Sequence, residues 1–201
     1  MDIVKEIIRA KVLGRGSGSG GGGDSGEVNQ LDAMIDRSIT EVKSNATKVS
    51  NNAFQSCSKL TTANFPAATK VGDNAFNACS RLTTANFPVA TSIGGSAFNS
   101  CSALTTADFP AVTSISSYAF NSCSALTALI LRSETMATVS SANAFTGTPI
   151  ASGTGYIYIP RVLVDSYKAA SGWSTYAAQF RALEDYTVDG TTTGELDSTK
   201  I

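Results

Sequence analysis

A 22-residue repeat constrains the fold of this chain more than any other feature. An Ala-Phe dipeptide recurs at that spacing, and a Cys-Ser dipeptide, a leucine and a β-branched residue keep the same period. The aligned columns are Phe54, Phe76, Phe98 and Phe120; Cys57, Cys79, Cys101 and Cys123; Leu60, Leu82, Leu104 and Leu126; and Val49, Val71, Ile93 and Ile115. A unit this short cannot bury its own apolar face, whereas stacked units align equal residues into one continuous core. The sequence therefore predicts a solenoid.

Each repeat unit predicts one strand and one turn. In the segment L-T-T-A-x-F, Ala63 and Phe65 alternate with Thr62 and Asn64, which is the pattern of a half-buried strand. A proline follows the phenylalanine in three repeats and ends the strand, because proline has no N–H to donate to a ladder. The residues that start at Asn74 predict a helical turn with Asn74 as its cap. We therefore expect an α/β solenoid with a short strand and a helical turn in each coil.

The segments around the repeats predict further regions. Residues 1–13 are predicted to form an amphipathic helix or an extended docking peptide, with apolar residues at Ile3, Val4, Ile7 and Ile8. Residues 14–26 are rich in glycine and serine and predict a flexible linker. The other boundaries are 27–46 for an N-terminal cap, 47–145 for the repeats, 146–186 for a C-terminal strand-helix cap and 187–201 for a polar tail.

Composition argues against an enzyme. The 201 residues include no histidine, and the formal net charge is -1. Without histidine there are no Ser–His or Cys–His nucleophile pairs and no imidazole metal ligands. A charge so close to zero does not favour a nucleic-acid partner, and no apolar run reaches the roughly 18 residues that indicate a membrane span. Charges near the N-terminus interrupt any secretory h-region. We expect no catalytic residues, metal or cofactor.

The four cysteines are the most reactive residue type in the repeats. Their spacing of 22 residues is unlike the short spacings of zinc sites. We expect a column of buried, reduced thiols that pack as small apolar residues. Disulfides between adjacent coils and a metal site are the alternatives.

The outward residues of the predicted strands are the candidate ligand-binding face. They form ladders of hydroxyl and amide groups that end in two apolar residues: Thr62, Asn64, Thr84, Asn86, Thr106, Asp108, Ala128 and Ile130. Solenoids commonly recognise partners through such a face, although Thr and Asn can also simply keep an open sheet soluble. The basic residues of the first coils have two interpretations as well, a patch for an anionic partner or a solvated surface: Lys48, Lys59, Lys70 and Arg81.

The repeat resembles the BspA-type (Treponema-type) leucine-rich repeat, whose pattern includes I-x-x-x-A-F-x-x-C-x-x-L-x-x-[VI]-x-[LF]-P. One unit matches at Val71, Ala75, Phe76, Cys79, Leu82, Phe87 and Pro88, with Ala85 in the usual Val or Ile place. The segment YIYIPRVLVDSYKAASGWSTYAAQFRAL is similar to the strand-plus-helix cap that follows such repeats in bacterial and prophage-encoded proteins. The resemblance implies a right-handed solenoid, with surface adhesion or protein recognition as its function.

The order of docking segment, linker and repeat head is similar to that of phage or prophage structural proteins. The predicted function is a non-enzymatic virion component (a fibre, decoration or adhesion protein) that is assembled in the bacterial cytoplasm. It would contact a host surface or a neighbouring virion protein. The predicted partners are a virion or surface protein at the N-terminal segment and a protein or glycan at the repeat face, with a homo-oligomer possible. The alternative is a bacterial cell-surface adhesin of the BspA-like type.

Overall fold

A computed structural model describes residues 39–185 and the backbone of Glu27 and Val28. The predicted linker and polar tail lie outside these residues, and so do most of the N-terminal cap and the docking residues Ile3, Val4, Ile7 and Ile8. No helix in residues 39–185 combines the length and the apolar character needed to cross a membrane.

The described residues form short strands joined by turns, followed by a small helical region. The strands are β1 (Glu27–Val28), β2 (Glu41–Lys43), β3 (Lys48–Val49), β4 (Thr62–Asn64), β5 (Lys70–Val71), β6 (Thr84–Asn86), β7 (Ser92–Ile93), β8 (Thr106–Asp108), β9 (Ser114–Ile115), β10 (Ala128–Ile130), β11 (Thr138–Val139), β12 (Tyr156–Ile159) and β13 (Phe180–Ala182). The α-helices are α1 (Pro149–Ser152) and α2 (Val164–Ala169). Short 3-10 helices span Ala142–Phe145, Arg161–Leu163, Ser174–Gln179 and Leu183–Asp185.

The strands build two parallel arrays on opposite sides of the stack. The strand predicted from L-T-T-A-x-F forms the front array, which is divided into β2-β4-β6 and β8-β10-β12-β13. The β-branched column forms a second, back sheet with the continuous order β1-β3-β5-β7-β9-β11. Residues one repeat apart pair directly, as Val49 does with Val71 and Ala63 with Ala85. The leucine-rich-repeat solenoid predicted from the sequence is confirmed.

The core lies between the two arrays and consists of stacked identical residues. In the Ala-Phe column, the ring of Phe98 lies 5.3 Å from Phe76 and 5.4 Å from Phe120, with the planes within 6° of parallel. A second column of strand phenylalanines packs against the first, with Phe87 5.7 Å from Phe76. All of these rings are fully buried, and each contributes roughly 1.5–3 kcal/mol of transfer free energy before entropy is counted.

The turn after each back strand is the short helical turn that we expected, but Asn74 does not cap it. Its bonds within a coil join residues three apart, such as Cys79 N–H to Phe76 C=O, but Asn74 and Ala78 have left-handed φ values of 54° and 60°. Asn74 therefore does not cap a helix, and that expectation is wrong. The physical reason is that the N–H groups of Asn74, Phe76 and Ala78 bond to carbonyls of the next coil at 2.7–2.8 Å. A continuous helix would use these groups internally.

The C-terminal region closes the stack. Strand β12 pairs with β10 on one side and with β13 on the other, which extends the front array beyond the last repeat. Trp173 and Tyr176 pack on Phe145, the last ring of the Ala-Phe column, and Tyr167 and Phe180 pack on Trp173 in turn. All four of these cap residues are buried. A solenoid end requires such a cover, because no further coil buries its core.

Candidate functional site

The front strands present a ladder of small polar side chains, here called the front face: Thr62, Asn64, Thr84, Asn86, Thr106 and Asp108. Thr84, Asn86 and Thr106 are exposed, and the other three are half-buried. The inward Ala63 and Ala107 of the same strands are fully buried. The period of two along a strand therefore separates core from surface as the sequence predicts.

A side-chain hydrogen bond joins the amides of neighbouring coils on this face. Asn86 Nδ2 donates to Asn64 Oδ1 at 2.8 Å. The next residue in the column is Asp108, whose carboxylate has no N–H with which to continue the ladder. Asp108 instead accepts from Arg132, with Nη2 at 2.8 Å and Nε at 3.1 and 3.2 Å from the carboxylate oxygens. The front array divides at this point, between β6 and β8.

Two of the predicted face residues are not accessible. Ala128 is 5% exposed and Ile130 is 1% exposed, because both form a buried cluster with Tyr158 and Leu183. Leu183 begins the 3-10 helix that directly follows β13, and its side chain belongs to this cluster. The assignment of Ala128 and Ile130 to a ligand-binding face is therefore wrong.

Residues that sequence reasoning missed lie next to this covered area. Arg132 and Tyr156 are half-buried on the same side of the molecule, and the guanidinium carbon of Arg181 lies 4.2 Å from the centre of the Tyr156 ring. The alternation Tyr-Ile-Tyr-Ile in β12 is the signal that could have found them, because it places both tyrosines on the outward side. This end of the front face therefore carries an aromatic ring and two cations.

The cysteines are buried thiols, as predicted. The thiol of each later cysteine donates to a phenylalanine carbonyl of the preceding coil: Cys79 to Phe54 at 3.1 Å, Cys101 to Phe76 at 3.2 Å and Cys123 to Phe98 at 3.0 Å. Burial raises the pKa of Cys79 and of Cys123 to about 12. A thiol that stays protonated at neutral pH is a poor nucleophile and metal ligand. Among the described residues, no group of three or more Cys, Asp or Glu side chains could hold a metal ion.

The basic residues of the first coils are exposed and divide between two places. Lys48 and Lys70 are direct neighbours in the back sheet, where the backbone of Lys48 also pairs with that of Glu27. Lys59 and Arg81 precede the front strands of their coils. Binding of an anionic partner and simple solvation both remain predictions for these residues.

An open depression of about 480 Å³ lies beside α1. Its lining residues are Ser124, Gly147, Thr148, Pro149, Ala151 and Ser152. They offer hydroxyl groups but no general base that could activate a nucleophile. We therefore place the candidate site on the front face rather than here.

Comparison with known proteins agrees with this architecture. Residues 37–159 match the family model described as a BspA type leucine rich repeat region, in six copies. A search of curated proteins found no match. Among solved structures, the chain is similar to a leucine-rich repeat protein from Bacteroides ovatus, with a TM-score of 0.55 and 22% sequence identity. The match covers 71% of this chain and 35% of that protein, so the chain spans about a third of its relative's length.

Proposed function

Because the chain belongs to the BspA-type leucine-rich repeat family, we propose that it is a non-catalytic recognition module that binds its partner through the front face. Leucine-rich repeats are typically binding scaffolds, and solenoids of this kind bind through an extended repeated surface. The observation that carries the proposal is the in-register pairing of outward side chains, Thr62 with Thr84 and Asn64 with Asn86. The partner is a protein or a glycan.

The chemistry of the front face suits a partner that offers its own hydrogen-bonding groups. Hydroxyl and amide side chains both donate and accept, and neighbouring strands hold them about 4.8 Å apart. The stacked core beneath keeps this spacing fixed, so little conformational entropy is lost on binding. The ion pair with Arg132 neutralises Asp108, which is the one charged side chain among the six of the front face.

A matched pair of substitutions tests this surface. Thr106→Lys places a long cation on the front face, and Thr175→Lys makes the same change at an exposed residue of the C-terminal cap. The full chain is tested on arrays of bacterial surface proteins and of oligosaccharides. We expect Thr106→Lys to weaken binding by about tenfold or more, equivalent to about 1.4 kcal/mol, and Thr175→Lys to leave it unchanged. Equal binding by both variants and the wild-type chain would place recognition elsewhere.

For the biological setting, we propose a phage or prophage particle on which the module is displayed as a fibre, decoration or adhesion protein. The support is the sequence order of an apolar segment, a Gly/Ser stretch and a repeat head. Residues 14–26 would reach about 20 Å as a flexible chain. Residues 1–13 would then anchor the module to a virion protein or to a second copy of the chain. A bacterial cell-surface adhesin is the second candidate, and the family match over residues 37–159 favours it.

Deletion of residues 1–13 tests the anchoring role. A helix this short is marginal alone, so its apolar residues need a partner. We expect the deletion to leave the melting temperature of the repeats unchanged and to abolish self-association or incorporation into particles, measured by sedimentation. A melting temperature lowered by several degrees would instead show that the segment packs on the solenoid.

A further inference from the structure

Tyr118 departs from the pattern of its own column. It occupies the left-handed position of the turn after β9, with φ of 60°, and the equivalent residues of the earlier coils are Asn52, Asn74 and Ser96 with φ of 60°, 54° and 53°. Asparagine tolerates this conformation, whereas a bulky aromatic residue there is an outlier. The fold therefore favours a small polar residue at position 118.

The Tyr118 side chain also contributes little to the core. It is 46% exposed, and among the described residues it is the one aromatic side chain in the group of exposed large apolar residues. Its hydroxyl accepts a 3.3 Å hydrogen bond from Nδ2 of Asn143 in the next coil. An exposed ring on a disfavoured backbone costs stability without a packing gain, and such positions concentrate at functional sites.

The coils on either side of Tyr118 carry small polar residues in the same turn, and the nearest charge on that side is Asp73, whose carboxylate accepts from Gly95 N–H at 2.7 Å. In the preceding coil, Ser96 N–H donates to Ser117 C=O at 3.0 Å, and the following coil supplies the amide of Asn143. No charged residue occurs in the sequence between Arg81 and Asp108 or between Asp108 and Arg132. Apart from Asp73, which is bonded to Gly95 N–H, the turns next to Tyr118 in the sequence offer hydroxyl and amide groups rather than charges.

This chemistry distinguishes between two classes of partner. A protein hot spot combines several apolar or arginine side chains in one cluster. The other exposed large apolar residues of the described chain are Val89, which follows a front strand, and Val162 in the C-terminal cap. A single ring among hydroxyl and amide groups instead matches a sugar, whose apolar C–H face covers an aromatic ring while its hydroxyls bond to polar neighbours.

We propose that Tyr118 and Asn143 form a binding site for a neutral carbohydrate, with the Tyr118 ring as its stacking platform. The site is separate from the front face, because Tyr118 stands ten residues from both Asp108 and Ala128, about half a coil from either front strand. It therefore goes beyond the proposed function and does not depend on it.

The test measures binding of the full chain to an array of neutral oligosaccharides that end in glucose, galactose, mannose or N-acetylglucosamine. Tyr118→Asn introduces the residue that the first coils carry at this position. We expect it to weaken binding by about tenfold or more while the melting temperature stays equal to or rises above that of the wild-type chain. Tyr118→Phe keeps the ring and should retain most of the affinity. Val89→Ala removes another exposed apolar side chain and should change nothing.

Three kinds of result would overturn the proposal. The first is a wild-type chain that binds none of these oligosaccharides, or a Tyr118→Asn variant that binds them equally well. The second is loss of oligosaccharide binding in Thr106→Lys but not in Tyr118→Asn, which would assign the sugar to the front face and leave the proposed function standing. If Tyr118→Phe loses as much affinity as Tyr118→Asn, the ring is not a stacking platform.

Discussion

The stacked coils and the C-terminal cap satisfy the same kinds of backbone group in different ways. Within the stack, backbone bonds to backbone, as when Phe98 N–H donates to Ala119 C=O at 2.8 Å. In the cap, side chains replace backbone groups as the hydrogen-bond partners. The Tyr167 hydroxyl accepts from Ala137 N–H at 2.7 Å, and Trp173 Nε1 donates to Ala137 C=O at 2.7 Å. A coil end buried beneath a cap therefore needs aromatic residues that carry a polar atom.

Ring packing shows the same difference. The Ala-Phe column places Phe120 and Phe145 5.7 Å apart with an interplanar angle of 3°, because coils related by translation repeat one rotamer. In the cap, Tyr176 meets Phe145 at 89° and Trp173 meets Tyr167 at 70°. Within one column, repetition gives parallel stacking, whereas the last ring of the column is covered by unlike residues, Trp173 at 32° and Tyr176 at 89°.

The largest effect should come from a hole in the middle of the stack. Phe98→Ala removes a ring that has neighbours on both sides, so the cavity cannot collapse easily, and we expect a loss of about 3–5 kcal/mol in the free energy of unfolding. Chemical denaturation measures it, with Thr106→Ala on the exposed front face as the control. Equal stability of the two variants would mean that the repeat geometry is wrong.

Removing one hydroxyl oxygen from the cap should lower the free energy of unfolding by a smaller amount. Tyr167→Phe keeps the buried ring but leaves the Ala137 N–H without its acceptor, which costs about 1–3 kcal/mol. Tyr118→Phe also removes a tyrosine hydroxyl, but from an exposed side chain, and should change stability by less than about 0.5 kcal/mol. Thermal unfolding of both variants compares them. Equal losses would show that the cap does not depend on this hydrogen bond.

The cysteine column should make the stack sensitive to alkali. The folded pKa values of Cys79 and Cys123 are about 12, against 9.0 for an ordinary thiol, with burial as the main cause. The protonated form is thus favoured by folding, so its stabilisation is complete below pH 9 and declines as the pH rises from 9 towards 12. Denaturation at pH 7 and pH 10.5 should show the decline, and a variant with Cys79 and Cys123 changed to Ala should show less of it.

Thiol labelling gives a second view of the same column. All four cysteines should resist a thiol reagent in the native chain and react after denaturation without reductant. Rapid native labelling would contradict a buried column. Failure to label after denaturation would indicate disulfides, and with them an oxidising compartment.

The core could be predicted from the sequence, because inward residues repeat at one period. Ala63, Phe65 and Cys79 lie where the alternation and the spacing place them. The back sheet was missed because strands of two residues, such as Lys70–Val71, are too short to show alternation. The helical turn was predicted, but the left-handed conformation of Asn74 was not, because hydrogen bonds to the next coil, such as that of Asn74 N–H, leave no local pattern in the sequence.

The candidate site was only partly predictable, for a related reason. Thr84 and Asn86 are exposed because their strand continues the repeat. Ile130 was placed on the same face, but its burial depends on Leu183, which lies far along the chain in a segment without repeats. A repeat pattern predicts which residues of neighbouring coils lie together. It does not predict which of these residues a later, non-repeating segment covers.

The smallest expected effect concerns the division of the front array. Thr83 N–H donates to Thr61 C=O and Thr127 N–H donates to Thr105 C=O, both at 3.0 Å. Among the described residues, Thr105 N–H makes no corresponding bond to Thr83 C=O. Asp108 lies beside this gap and bonds to Arg132 instead of Asn86. We infer that the carboxylate causes the gap, because it would face the amide oxygen of Asn86 as a second acceptor.

Asp108→Asn tests this inference. The new amide can donate to Asn86 Oδ1 and extend the ladder, while the half-exposed ion pair with Arg132 is lost. Each change is worth about 0.5–1 kcal/mol with opposite sign, so we expect little change in melting temperature. Hydrogen exchange should nevertheless slow at Thr105 N–H as the two halves of the front array join. Arg132→Ala removes the same ion pair without supplying a donor, and exchange at Thr105 should stay fast. If both variants slow it equally, the ion pair and not the missing donor holds the strands apart.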